Sequence, residues 1–285
     1  MSYSYEALVE HPALLAAVRN LARTLRQEFS KNPWIGRLLS AHQKWLLTQI
    51  GMALNLDNGP DGFTATELRA FITPNGVASR NTVQSFLDHL ETYRYIERIK
   101  KPAATRPKRY RAMPISEQAM FGWYVVNLQA LDGMDGGMRA QTLLASPHLF
   151  RIAQPLAARA AIADRQWVEP PRRVGLFLWT EAGALVMDEF ISRIDDADRQ
   201  RERIEIGYVD ARKLASEFMM SRTHLQRLLN KAAAEGAMGW MDESLRSGMW
   251  FSGAFLDEYC RWQARKFCFV NDAFHVALAR EESGP

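Results

Sequence analysis

The sequence predicts a mainly α protein with small β-ribbons, built as two versions of one unit within a single chain. Three observations predict it. Apolar residues recur at three- and four-residue spacing along most of the chain. Short β-like segments, paired across turns, follow two of the helical stretches. Most telling, the segment Ser79-Arg80-Asn81-Thr82-Val83-Gln84-Ser85-Phe86-Leu87-Asp88 returns as Ser221-Arg222-Thr223-His224-Leu225-Gln226-Arg227-Leu228-Leu229-Asn230. At this constant offset of 142, Ser, Arg, Gln and Leu recur, and apolar residues match at the fifth and eighth places.

Other parallels keep the same order. Glu67-Leu68-Arg69-Ala70 matches Lys213-Leu214-Ala215-Ser216 in pattern at an offset of 146, which leaves four extra residues in the first copy around Thr73-Pro74-Asn75-Gly76. His11-Pro12-Ala13-Leu14-Leu15 parallels Ser146-Pro147-His148-Leu149-Phe150 at 135, and each is followed by a helical stretch and a tryptophan, Trp34 or Trp167. A boundary is expected where Leu131–Gly137 breaks helical periodicity, giving units 1–133 and 134–285. The length of 285 residues suits two domains.

In the first unit, Leu8, Leu14, Leu15, Val18, Leu21, Ala22, Leu25 and Phe29 mark an amphipathic helix, and a second helix is expected from Ile35 to about Leu56. Asn58-Gly59-Pro60-Asp61-Gly62 ends it. Thr64-Ala65-Thr66-Glu67 is a capping arrangement for a short helix, Glu67–Ile72. After a turn, Ser79 caps a helix from Arg80 to about Tyr93, with Val83, Phe86, Leu87 and Leu90 inward. A ribbon of Tyr95–Ile99 and Arg109–Met113 follows, then a closing helix, about Glu117–Leu131. The second unit repeats this order: helices Pro147–Ala163, Val174–Ile194, Ala211–Phe218 and Arg222–Ala234, a ribbon of Ala237–Met241 and Met249–Ser252, and a long helix, Ala254–Leu278.

Composition narrows the function classes. Hydrophobic residues at 47% and charged residues at 24% exclude wholesale disorder. No apolar run approaches the length of a membrane helix, and Glu6, Glu10 and Glu28 without a basic leader argue against a signal peptide. Cys260 and Cys268 lie eight residues apart in a helical pattern, about 12 Å along its axis, too far for a disulfide. A reduced cytoplasmic protein without membrane association is expected. There is no GxGxxG, Walker or GxSxG motif, and His11, His42, His89, His148, His224 and His275 lack ligand spacing. The chain is therefore expected to be no enzyme and to hold no metal or cofactor.

The order helix, short helix, turn, serine-capped helix, ribbon resembles a winged helix-turn-helix domain. Lys213-Leu214-Ala215-Ser216-Glu217-Phe218-Met219-Met220-Ser221-Arg222 is similar to the bacterial regulator pattern, and Glu235-Gly236-Ala237-Met238 to its turn into the wing. With the flanking helices, which have the character of dimerisation helices, the chain resembles two MarR-type subunits fused into a pseudo-two-fold pseudo-dimer. The resemblance covers most of the chain in pattern, and motifs over about 62–113 and 208–253. It implies a DNA-binding transcriptional regulator, a pocket for a small aromatic effector near Trp45 or Trp179, and a further homo-oligomer as an option.

Charge placement agrees with DNA as the partner. Residues 1–133 hold 16 Lys/Arg against 11 Asp/Glu, and the remainder 20 against 21. From Glu97 to Arg111 seven cations, Arg98, Lys100, Lys101, Arg106, Lys108, Arg109 and Arg111, face one anion, a composition suited to a phosphate-tracking wing. Arg80, Asn81, Thr82, Gln84 and Ser85, and Arg222, Thr223, His224, Gln226 and Arg227, are the candidates for base edges, since Arg pairs with guanine and Asn or Gln with adenine. Ser79 and Ser221 are expected to cap their helices and to offer an amide to phosphate.

The second ribbon departs from this pattern: Asp242-Glu243-Ser244-Leu245-Arg246-Ser247-Gly248 carries two acids and one cation, and its strands read as packing. The expected operator is therefore pseudo-palindromic or asymmetric, with two unequal half-sites. Two other functions stay open at this point, a tandem winged-helix plasmid replication initiator and a winged-helix protein-interaction adaptor.

Overall fold

A computed structural model of the chain describes residues 3–31, 33–99, 107–195, 201–242 and 248–283. The opening segment carries α1 (Tyr5–Glu10), α2 (Leu14–Lys31) and α3 (Pro33–Leu39). Then come α4 (His42–Asn58), β1 (Phe63–Thr64), α5 (Ala65–Ile72), α6 (Arg80–Thr92), β2 (Ile96–Arg98), β3 (Arg109–Ala112) and α7 (Pro114–Asp135). Next are α8 (Arg139–Ala145), α9 (Phe150–Ala163), α10 (Arg165–Val168), α11 (Arg172–Leu178) and α12 (Gly183–Ile191). The chain ends with β4 (Arg203–Gly207), α13 (Ala211–Glu217), α14 (Arg222–Ala234), β5 (Met238–Trp240), β6 (Met249–Ser252) and α15 (Gly253–Glu282). The protein is mainly helical with two small antiparallel sheets.

The compact units are not the contiguous halves 1–133 and 134–285. One comprises residues 1–4, 43–168 and 266–285; the other comprises 5–42 and 169–265. The first helices of the chain thus belong with the second sheet, for a packing reason. Leu14, Leu15, Val18, Leu21 and Ala22 form a fully buried stripe on α2, which packs along α12 with its buried Leu185, Val186 and Phe190. Arg19 and Arg23 donate to the carbonyls of Ile194 and Ser192 just past the end of α12, at 3.2 and 3.0 Å, where a helix end needs donors. Arg26 continues the stripe, bonding Glu189 on α12 and Glu217 on α13.

The expected boundary at Leu131–Gly137 is also corrected. Helix α7 runs through Gly133 to Asp135 and ends at Gly136, in the left-handed region. Arg139 holds this corner together. Its guanidinium, buried to 6% exposure, bonds Asp132, Asp135 and Asn271, while Asp132 accepts the Arg139 and Ala140 amides that open α8. The Arg139 guanidinium beside Asp135 holds that carboxyl well below the usual carboxylate range.

Three smaller corrections follow. The predicted Val174–Ile194 helix is two helices, broken at Trp179–Ala182, where Ala182 is left-handed and a Cβ on Gly183 would meet the Phe177 carbonyl oxygen at 2.0 Å. Helix α8 was not predicted, and neither were the first strands of the two sheets.

Each unit contains the same order, strand, helix, helix, strand, strand, with the last strand central: β1-β3-β2 and β4-β6-β5. The first helix of each pair is capped at equivalent positions. Thr64 forms a reciprocal capping box with Glu67, and Asp210 accepts the amides of Arg212 and Lys213. The second helix ends in the same turn in both. Tyr95 donates to the Leu90 carbonyl at 2.9 Å across left-handed Arg94 (φ 59°), and Ala237 to Ala232 at 2.9 Å across Gly236 (φ 66°).

Two predictions follow from these turns and corners. Arg94→Gly removes backbone strain and raises stability by about 0.5–1 kcal/mol, whereas Gly236→Ala, with open space around the new Cβ, lowers it by about 1 kcal/mol. Denaturant midpoints check both. The depressed Asp135 carboxyl stabilises fully above the ordinary carboxylate range, and this contribution is lost as pH falls through its lower folded-state value. Asp135→Asn therefore lowers stability at neutral pH and makes its decline in acid shallower, measured as melting temperature against pH.

Candidate nucleic-acid interface

The surface that each unit can offer a partner is set by its second helix. Val83, Phe86, Leu87 and Leu90 bury one face of α6; Leu225, Leu228, Leu229 and Ala232 bury the matching face of α14. The polar candidates are left on the opposite side. Ser79, Arg80, Asn81 and Ser85 are exposed, and Thr82 and Gln84 are half-buried. Ser221, Arg222, Thr223, His224, Gln226 and Arg227 are all exposed. Both serines cap as expected: Ser79 Oγ accepts the Thr82 amide at 3.2 Å, and Ser221 Oγ the His224 amide at 3.1 Å.

The two helices differ in charge. Helix α14 carries Arg222, Arg227 and Lys231 and no carboxylate. Helix α6 carries Arg80 together with Asp88 and Glu91, and Gln84 donates to Asp88 at 2.9 Å. By whole units the balance is reversed. The unit containing α6 has 17 Lys/Arg against 13 Asp/Glu, and the other has 19 of each. The net charge of the chain thus sits in one unit, while the more cationic second helix sits in the other.

The basic ribbon of the first unit separates into three groups. Lys100, Lys101 and Arg106 lie outside the described residues. Arg98 and Arg111 are exposed on β2 and β3, and each faces a carboxylate: Arg98 lies 3.6 Å from Glu91, and Arg111 forks onto Glu97 at 2.5 and 3.1 Å. Such surface pairs are worth about 0–1 kcal/mol, so these guanidiniums can exchange onto phosphate. Arg109 is different. Its guanidinium bonds the carbonyls of Asp61 and Gly62 at 2.6 and 2.8 Å and lies 3.7 Å from Glu67, so it joins the central strand to the turn before β1. Lys108 is exposed and has no ion pair among the described residues.

The second ribbon is built for packing. Met249 and Phe251 are buried, and the Trp250 ring lies over Gly239, where a Cβ would meet it at 2.4 Å. Arg203 on β4 stacks its guanidinium on Trp250 at 4.7 Å. The tip, 243–247, lies outside the described residues.

The sites expected for an effector are filled or open. Trp45 is half-buried against Trp123, ring centroids 4.8 Å apart. Trp179 is 50% exposed, with the buried His42 ring edge-on at 5.5 Å. A cleft of about 560 Å³ lies elsewhere in that unit, lined by Arg26, Glu189, Arg193, Tyr208, Lys213 and Glu217 among others. Its charges largely pair with one another, Arg26 with Glu189 and Glu217, and Arg193 with Glu189. No group of three or more His, Cys, Asp or Glu side chains that could hold a metal occurs among the described residues, and no described helix is long and apolar enough to cross a membrane.

No protein-family model, curated protein or solved structure matches the chain.

Two ribbon cations should respond oppositely to substitution. Arg109→Ala loses charge-assisted hydrogen bonds and costs about 1.5–3 kcal/mol of stability, whereas Lys108→Ala leaves the unfolding midpoint unchanged. Chemical denaturation of the two variants side by side distinguishes a fold-holding arginine from a surface lysine.

Proposed function

We propose that the chain is a sequence-specific double-stranded-DNA-binding transcriptional regulator made of two winged helix-turn-helix units in tandem. The observation that carries this reading is the pair of serine-capped second helices. Each is held by a buried apolar stripe with its polar face outward, and that of α14 is free of carboxylates. Arg222 and Gln226 stand one helical turn apart on the exposed side, with Arg227 and Lys231 a further turn apart. This spacing suits one helix lying in a major groove, arginine and glutamine at base edges and the flanking cations at phosphates.

In this reading the units contribute differently. Helix α14 supplies direct readout from a unit without net charge, and its packed ribbon supplies little. In the other unit, α6 brings Arg80, Asn81 and Ser85, and the exposed Arg98, Lys108 and Arg111 supply backbone attraction. A binding site with two unlike halves follows from that asymmetry.

Duplex binding measured against salt tests the proposal. The affinity is expected to fall linearly on a log–log plot, and each phosphate-contacting cation removed lowers the slope by about one. Arg222→Ala is expected to cost about 1–3 kcal/mol on the preferred sequence and to relax base preference, while Lys231→Ala weakens all sequences alike. Absence of duplex binding at low salt would sink the reading.

A further inference from the structure

The duplication supplies an internal control for the end of the second helix. The same turn closes α6 and α14, with equivalent hydrogen bonds and an equivalent left-handed residue. In the second unit it is built from Lys231, Glu235, Gly236 and Ala237; in the first, the residues at the same offset of 142 are His89, Tyr93, Arg94 and Tyr95. The turn therefore needs no aromatic residue. It also favours glycine where the first unit has arginine, at a non-glycine φ of 59°. A hydrophobic contact from the residue after the left-handed position is common in such turns. That accounts for the half-buried Tyr95, but not for Tyr93 or His89.

The three rings form a row on the surface. His89 and Tyr93 stack with centroids 4.7 Å apart and an interplanar angle of 26°. Tyr93 and Tyr95 are 6.4 Å apart and within 17° of parallel. Tyr93 is 51% exposed, and His89 is exposed as well. Arg94 lies between Tyr93 and Tyr95 in the chain and is exposed. Stacking on one another covers one face of His89 and one of Tyr93. The ring surface that stays exposed on Tyr93, next in the chain to Arg94, matches the chemistry of an unpaired nucleic-acid strand, in which bases stack on aromatic rings and the phosphates between them attract guanidinium groups. A paired duplex hides its base faces within its own stack and has no use for such a row.

We infer that His89, Tyr93 and Tyr95 form a stacking platform for unpaired nucleobases, with Arg94 as a phosphate contact. This surface lies at the C-terminal end of α6, beyond Arg80–Ser85, and takes single-stranded rather than double-stranded nucleic acid. It goes beyond the proposed duplex binding and stands or falls apart from it.

The test uses the full chain and fluorescence anisotropy with three probes: an oligothymidylate of about 20 nucleotides, an oligouridylate of the same length, and a random duplex. The expected result is binding of a single strand that Tyr93→Ala weakens by roughly 5- to 100-fold, with duplex affinity unchanged. The ratio of the two single-stranded affinities then says whether DNA or RNA is the better ligand. Tyr93→Phe, which keeps the flat face, is expected to bind within about twofold of the parent, and Tyr93→Leu, apolar but not flat, to fall with alanine. Arg222→Ala, at the other unit's helix, leaves single-strand affinity intact, so loss of duplex binding alone does not touch this inference. Three results would each overturn it: no single-strand binding by the parent chain, full affinity in Tyr93→Leu, or a Tyr93→Ala variant that changes sedimentation but not oligonucleotide binding. The last would mark the row as a self-association face.

Discussion

Burial of one apolar stripe on each second helix is the constraint from which both candidate surfaces follow. Four side chains on α6 and four on α14 are buried, and a fully buried large apolar side chain is worth about 1.5–3 kcal/mol. Turning either helix by one residue, about 100°, would bring that stripe toward water. The outward direction of the polar face is therefore set by hydrophobic burial. The capping serine fixes where the helix starts, and the left-handed residue fixes where the chain leaves for the sheet. Rotation, start and exit are thus determined separately. The exposed residues between them are left free to vary, and there the two units differ.

Cations divide by what holds them. Arg19, Arg23 and Arg109 bond backbone carbonyls, the buried Arg139 bonds two carboxylates and an amide oxygen, and all four belong to the architecture. Arg98 and Arg111 are themselves exposed and meet the surface carboxylates Glu91 and Glu97. A simple count of positive residues in the first ribbon merges these kinds. Separating them moves weight from Arg109 toward its neighbours, and from the first unit's helix toward α14, whose cations face no acid on their own helix.

Much of the motif was legible in the sequence because its signals are local. The α14 limits, Arg222–Ala234, agree with those read from Ser221 and the glycine at 236. The capping box at Thr64 was equally visible. Strand β4 was also readable in principle, because Arg203-Ile204-Glu205-Ile206-Gly207 alternates exposed and buried, but it is short and lies among charges. Strand β1 has two residues and exists through its pairing with β3, so no period could reveal it. The unit assignment failed for a different reason. Periodicity shows that α2 has an apolar stripe but not which stripe it meets, and its partner α12 lies more than 150 residues away. The unbroken end of α7 is hidden from the sequence because Asp132, Gly133 and Asp135 look like a linker until Arg139 is seen to gather the two carboxylates.

Where two versions of one turn coexist in a chain, features shared by both report on the fold, and features confined to one need another cause. The serine caps, the capped first helices and the left-handed exits are shared. The stacked rings, the arginine in a conformation that favours glycine, and the carboxylate-free helix face are not. A left-handed arginine costs about 1 kcal/mol relative to glycine, and an exposed tyrosine forgoes the gain of burial. Neither is demanded by the backbone, since the other unit closes the same turn without them. The aromatic row of one unit and the cationic helix of the other are therefore differences that the shared turn does not require.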